Sequence, residues 1–314
     1  MATEWTAEDI PLLHGRRFII TGANTGIGYQ AAVKLARRGA ELVLACRDRR
    51  KGEAAMAKIR DDAPTSHVEV AMLDLASLDS VRRFAEAELA RQRPLHALIN
   101  NAGVMAVPKR TETADGFEMQ FGTNVLGHFA LTGLLLPALE RSSTDGGPSR
   151  VVTVASIAHK RTQLRLDDLQ STRGYSPMRA YQQSKLADLM FSFELSHRLR
   201  ANGSRVESLA VHPGVAATEL FRGDGRSAMS KAVRVFVGHV IGVLLNSDAE
   251  GALPTLYAAT SADAVDGGYY GPQGFEEMRG DTVGVAKVAP QARDAAAARK
   301  LWEMCEELTG VRFP

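Results

Sequence analysis

Tyr181 and Lys185 stand four residues apart in the stretch Tyr181-Gln182-Gln183-Ser184-Lys185. On a helix, positions i and i+4 share one face, so the phenol and the ammonium point the same way. A phenol titrates near ~10 and is a poor acid or base at neutral pH. A cation beside it favours phenolate and lowers that value, each unit being worth about 1.4 kcal/mol. The pair therefore reads as a tuned proton donor and acceptor. Taken alone the motif is weak, because Tyr-x-x-x-Lys on a helix is more often a solvated surface pair. Here it has company: a Gly-rich turn near the N-terminus, and Ser156 after an apolar run just upstream.

The Gly-rich turn is Thr21-Gly22-Ala23-Asn24-Thr25-Gly26-Ile27-Gly28, between an apolar run and a helical pattern. Glycines allow a tight turn and close backbone approach to phosphate, and a helix N-terminus offers N–H groups to a pyrophosphate. The spacing is GxxxGxG, which matches neither GxGxxG nor the GxxxxGK[ST] of a nucleotide-hydrolysing loop. Its place at the first strand-to-helix junction favours a dinucleotide site over a bare connection. The second strand ends in Ala45-Cys46-Arg47-Asp48-Arg49-Arg50-Lys51. Cys46 cannot accept from a ribose hydroxyl as a carboxylate does. Arg47, backed by Arg49, Arg50 or Lys51, suits the 2′-phosphate of NADP. The less favoured reading places Asp48 on the ribose of NAD.

Other nucleophile and metal patterns are weaker. His159 follows Ser156 by three residues, and Asp167 and Asp168 come next, which admits a Ser-His-Asp hydrolase. No G-x-S-x-G elbow occurs in the chain, so His159 reads as a packing or hydrogen-bonding residue near the site. His212, before Pro213, reads the same way. None of the eight histidines forms HExxH, so no catalytic metal is expected.

The elements that must position these groups alternate along the chain. Apolar runs at 16–21, 41–46, 68–73, 95–100, 150–155 and 206–211 have the near-continuous character of parallel strands covered on both faces, and helical patterns separate them. That is the alternation of an α/β doubly wound sheet. Residues 267–272, with Gly267, Gly268, Tyr269 and Tyr270, suit a last strand, and 291–308 suits an added helix. The polar stretch 141–149 reads as a surface loop. With 314 residues, 45% of them hydrophobic, the chain can bury a large core, and a single domain spanning 1–314 is expected. Net charge is +2 without a basic block, which argues against nucleic acid. Two cysteines, Cys46 and Cys305, fit a reducing, cytoplasmic setting. The start lacks a signal-peptide core, and no run approaches the ~20 apolar residues of a transmembrane anchor.

With these residues in hand, the chain resembles the short-chain dehydrogenase/reductase family. The matching residues are 21–28 (TGANTGIG), Asp74-Leu75, Asn100-Asn101-Ala102-Gly103, Asn124, Ser156, Tyr181-x-x-x-Lys185 and Pro213-Gly214, in family order. ACRD, NVLGHF, ASIAH, YQQSKLAD and VHPGV resemble its retinol dehydrogenase-like branch, whose members often use NADP. The resemblance implies a Rossmann-type sheet of about seven strands in the order 3-2-1-4-5-6-7, with helices on both faces. It implies that Tyr181 is the general acid of reduction and the base of oxidation, and that Lys185 lowers its pKa and binds the nicotinamide ribose. Ser156 would bond the substrate oxygen, and Asn124 would hold a water linking Lys185 to solvent. Gly22, Asn24, Thr25, Gly26, Ile27 and Gly28 would cradle the cofactor. Asp74, beside Leu75, would contact adenine; Asn101, Ala102 and Gly103 would line the adenine-ribose side. Pro213, Gly214 and Val215 would flank the nicotinamide amide, with Thr218 placed to bond it. Elementary chemistry agrees, since hydride transfer to a carbonyl creates alkoxide charge that needs a donor and then a proton.

The expected activity is thus NADP-dependent interconversion of a carbonyl and an alcohol on a hydrophobic small molecule. Reduction of an activated C=C bond, or a non-catalytic NADP-binding regulator, are the alternatives. Val233, Phe236, Val237, Val240, Ile241, Leu244 and Leu245 form an apolar stripe at helical spacing. Core packing, a substrate lid around 219–246, a membrane contact and a subunit face of a dimer or tetramer all remain open for it.

Overall fold

Successive residues of a strand point to opposite faces of the sheet, and these apolar runs are continuous enough to fill both. The computed structural model of the protein describes residues 5–143, 147–215 and 246–314. In it the runs become β1 (Arg17–Thr21), β2 (Glu41–Cys46), β3 (His67–Met72), β4 (Ala97–Asn100), β5 (Arg150–Val154), β6 (Glu207–Val211) and β7 (Tyr269–Pro272). All seven pair in parallel in the order 3-2-1-4-5-6-7, so the doubly wound α/β arrangement is as expected. Among the described residues one further strand, β8 (Val283–Val285), adds antiparallel to β7 at the sheet edge. Three residues are too few to display a two-residue period, so this strand left no pattern to read.

Among the described residues the helices of eight residues or more are α1 (Gly26–Arg37), α2 (Arg49–Asp62), α3 (Leu78–Ala90), α4 (Met119–Ser142, with a π turn at Gly122–Leu126), α5 (Pro177–Ala201), α6 (Leu253–Thr260) and α7 (Ala295–Thr309). They sort the side chains into two cores. Phe18, Ile20, Leu42, Leu44, Ile99 and Val152 pack with α1, α2 and α6. Their strand neighbours Ile19, Val43, Leu98 and Val151 pack with α3, α4, α5 and α7. This period-two split is the direct result of covering both faces of the sheet.

By length and composition α4 could cross a bilayer, which the sequence reading had not anticipated, but 83% of its most apolar window is buried inside the protein. It is the core helix of the second layer. The C-terminal pattern resolves into a turn at Pro290–Arg293 and helix α7, whose start is capped by Asp294 accepting from Ala296 N and Ala297 N at 3.0 Å. Trp302 of α7 is 2% exposed and stacks on Phe191 at 5.8 Å with an edge contact to Phe129 at 5.0 Å. Trp302→Ala should therefore lower unfolding free energy by about 3–5 kcal/mol in a denaturant titration. A loss under about 1 kcal/mol would show that α7 is not part of this core. The stripe at 233–245, Thr218 and the segment 219–246 apart from Asn246 lie outside the described residues.

Candidate active site

Thr21 closes β1 and fixes the turn that follows. Its Oγ1 accepts from Asn101 N and Ala102 N, both at 2.9 Å, while Asn101 Nδ2 donates to Thr21 O at 2.8 Å. Those bonds tie the turn at 21–28 to the segment 101–103 leaving β4. Gly22 and Gly26 have φ of +68° and +61°, the left-handed region where glycine is at ease. A Cβ on Gly22 would sit 3.0 Å from the Ala102 backbone, and one on Gly28 would overlap Asn101 Nδ2. The residues present thus make a cradle that a dinucleotide fits: α1 begins here, no acidic residue occupies its first turn, and its N-cap Thr25 makes no side-chain cap bond. Asn24 and Ile27 are half-buried beside it, and Thr25 is exposed.

At the end of β2 the side chains separate by role. Cys46 is 3% exposed, and burial pushes its thiol up to about 11, so it is neutral at physiological pH. Asp48 caps α2, its Oδ1 accepting from Lys51 N at 3.1 Å. Arg47 is exposed at the strand end. After β3, Asp74 Oδ1 accepts from Ala76 N at 3.0 Å, and Leu75 is buried beneath α4, where a Cβ on Gly127 would come 2.5 Å from Leu75 O.

The residues expected to handle the proton lie around the carboxyl end of β5. Ser156 is 4% exposed and caps the short turn Ile157–Arg161, its Oγ accepting from Ala158 N at 3.2 Å. That bond uses a lone pair and leaves the hydroxyl proton to be donated. Helix α5 presents Tyr181 and Lys185, each 5% exposed, one turn apart. Lys185 Nζ donates to Val154 O at 2.7 Å, two residues before Ser156. A Cβ on Gly103 would lie 3.8 Å from Lys185 Nζ and 3.3 Å from Asn124 Oδ1. The wall at 101–103, Asn124, Lys185 and the strand carrying Ser156 therefore converge on one place.

Asn124 lies in the π turn of α4, a deformation common at functional sites. Its Oδ1 accepts from Val104 N at 2.8 Å, and its Nδ2 donates to Val104 O at 3.0 Å and to Ser184 Oγ at 2.9 Å. One turn on, His128 bridges Asn124 O at 2.8 Å and Thr21 Oγ1 at 2.9 Å. Burial pulls this imidazole down to about 3, so it is neutral. It links the turn at 21–28 to Asn124. The sequence reading passed over His128, although its place four residues after Asn124 put both on one helical face.

The remaining polar residues have structural tasks. His159 is fully buried, bonded through Nδ1 to Ser156 O at 2.7 Å and accepting at Nε2 from Ala289 N at 3.2 Å. Asp168 bonds Thr172, and Asp167 pairs with Arg173, so neither completes a triad with His159. His212 Nδ1 accepts from Gly214 N at 3.2 Å, as expected of a residue steadying the segment after β6. Gly214 has φ +76°, and Val215 N donates to Met278 O at 2.7 Å. Asn246, another residue the sequence did not flag, donates to Pro213 O at 2.9 Å and accepts from Gly280 N at 3.0 Å.

Comparison with known proteins gives consistent matches. The family model described as short chain dehydrogenase matches residues 16–227. Human retinol dehydrogenase 13 is 44% identical over 303 residues, covering 96% of this chain and 86% of that protein. Human retinol dehydrogenase 12 is 43% identical over 304 residues, covering 96% and 88%. Among solved structures, an uncharacterized protein from Mycobacterium Paratuberculosis has 43% identity and a TM-score of 0.79, covering 99% of this chain and 100% of its own. The Pseudomonas aeruginosa RhlG/NADP complex, at 23% identity and TM-score 0.61, shares the fold over 82% of this chain and 94% of its own.

Proposed function

The chain belongs to the short-chain dehydrogenase family, in its retinol dehydrogenase-like branch, a group of hydride-transfer oxidoreductases that bind NAD(P)(H); from that premise we propose that it is an NADP-dependent enzyme interconverting a carbonyl and an alcohol on a hydrophobic small molecule. The observation that carries the reading is the convergence of Gly103, Asn124, Lys185 and the Ser156 strand end. When bound, the cofactor supplies or accepts the hydride. Tyr181 gives the proton to the nascent alkoxide in reduction and takes it in oxidation. Ser156 donates its hydroxyl hydrogen to the same oxygen. Lys185 biases Tyr181 toward phenolate and bonds the nicotinamide ribose. Asn124 is assigned the water that links Lys185 to solvent, on the strength of its place against Ser184 and Val104.

NADP is preferred to NAD because the residues at the end of β2 divide the labour. Asp48 is engaged in capping, Cys46 is a neutral buried thiol, and Arg47 stands exposed. A charge-assisted contact from Arg47 to the 2′-phosphate is worth roughly 1.5–3 kcal/mol. Arg47→Ala is expected to weaken NADPH binding about tenfold or more and to leave NADH nearly unchanged, as read by cofactor fluorescence titration. Equal losses for both cofactors, or tighter NADH binding by the wild type, would reverse the assignment.

The hydrophobic substrate class rests on the relatives named retinol dehydrogenase. A panel of apolar aldehydes and ketones, followed by NADPH absorbance, tests the reading. Turnover of activated alkenes with no carbonyl reduced would replace it. We read 1–314 as one domain and place it in the cytoplasm, a reading supported by two buried free thiols, Cys46 and Cys305.

A further inference from the structure

Lys185 does not stand alone on its helix. One turn further along α5, Asp188 Oδ2 accepts from Lys185 Nζ at 2.9 Å. Both side chains are withdrawn from water, Asp188 being 3% and Lys185 5% exposed. An ammonium has three donors. One is committed to Val154 O and one to Asp188, and these fix the amine beside the Gly103 wall. A buried carboxylate is costly unless it serves a partner, and a buried ammonium without a counter-ion sheds its proton readily.

We propose that Asp188 is a positioning residue for the reaction: it is the counter-ion that keeps Lys185 an ammonium and aims it at the Tyr181 side of the site. The proposal rests on the dehydrogenase reading above. Burial pushes the Asp188 carboxyl up to about 6, against the opposing pull of Lys185. The other groups facing the pair do not substitute for it. His128 on α4, which feels the Lys185 charge, is neutral. Cys305 on α7, which feels Asp188, is held as a thiol by burial, its value pushed well up. Glu306, near Cys305, accepts from Trp302 Nε1 at 3.1 Å. On α5 itself, Tyr181 lies one turn before Lys185.

The sign of the effect follows from charge. Tyr181 and Lys185 titrate as a coupled pair, and carbonyl reduction needs both protons in place. Removing a neighbouring anion makes the first of those protons leave at lower pH, whichever group releases it. A partner charge at this range is worth about one to three pH units.

The test compares wild type with Asp188→Asn, which keeps the shape and removes the charge. In carbonyl reduction with NADPH, the alkaline limb of kcat/KM should move to lower pH by about one unit or more. In lysine-labelled protein, with the Lys185 signal assigned through Lys185→Arg, nuclear magnetic resonance should show Lys185 losing its proton at lower pH in the variant. If Asp188→Asn does not fold, Asp188→Ser carries both measurements. An alkaline limb that stays put while the rate falls would reduce Asp188 to a structural role. An unshifted Lys185 titration would overturn the proposal outright. Should the wild type reduce no carbonyl, the dehydrogenase reading fails, and the Lys185 titration still decides the case of Asp188.

Discussion

Replacing Tyr181 by Phe is expected to lower turnover by ~10² or more while NADPH still binds. The phenol is 5% exposed and sits one helical turn from an ammonium fixed by Val154 O and Asp188. Phe keeps the ring and its packing, so α5 and the second core stay intact. On the proposed mechanism what is lost is the proton that meets the developing alkoxide, and general acid catalysis is worth roughly 10²–10⁴ in rate. The measurement is steady-state reduction of the best carbonyl substrate, with cofactor affinity measured separately. A folded Tyr181→Phe protein with wild-type turnover would remove Tyr181 from the mechanism.

Ser156→Ala should cost on the order of 10²-fold in kcat, the loss seen when one charge-stabilising donor is removed. Its Oγ also caps the turn Ile157–Arg161, so the substitution touches stability as well. The two effects separate by size. A lost cap is worth about 0.5–2 kcal/mol of folding free energy, which leaves a stable domain folded at room temperature. Loss of kcat with a small shift in melting temperature identifies the donor role. A rate that survives the substitution, with only the melting temperature lowered, would leave Ser156 as a cap and nothing more.

The sheet was legible because parallel strands covered on both faces are apolar at most positions. The runs at 150–155 and 206–211 differ from β5 and β6 by a single residue at one end. What escaped reading was what depends on the third dimension. β8 is too short to have a period, and it exists because β7 offers it an edge. The rivalry between Arg47 and Asp48 could not be resolved from types alone. It is weighed by Asp48 accepting from Lys51 N, a local bond that an Asp three residues before Lys51 makes only once the helix has formed. Asp188 follows Lys185 by three residues and was in plain sight, yet such a pair on a helix is usually solvated. Only the burial of both ends on α5 sets it apart. Asn246 bonds Pro213 O, 33 residues away, and His128 bonds Thr21 Oγ1, 107 residues away, long-range partners which no spacing rule reaches.

The position of Trp302 bears on how the protein is made. α7 supplies the outer cover of α5, placing Trp302 on Phe191 and Cys305 near Asp188. Synthesis runs from the N-terminus, so α5 leaves the ribosome with that flank bare, and α7 follows about a hundred residues later, a delay on the order of ten seconds. Through that interval the flank of α5 that carries Phe191 and Asp188 lacks its α7 cover. Full packing of the helix that carries Tyr181 and Lys185 therefore waits on the emergence of α7, which covers one of its flanks.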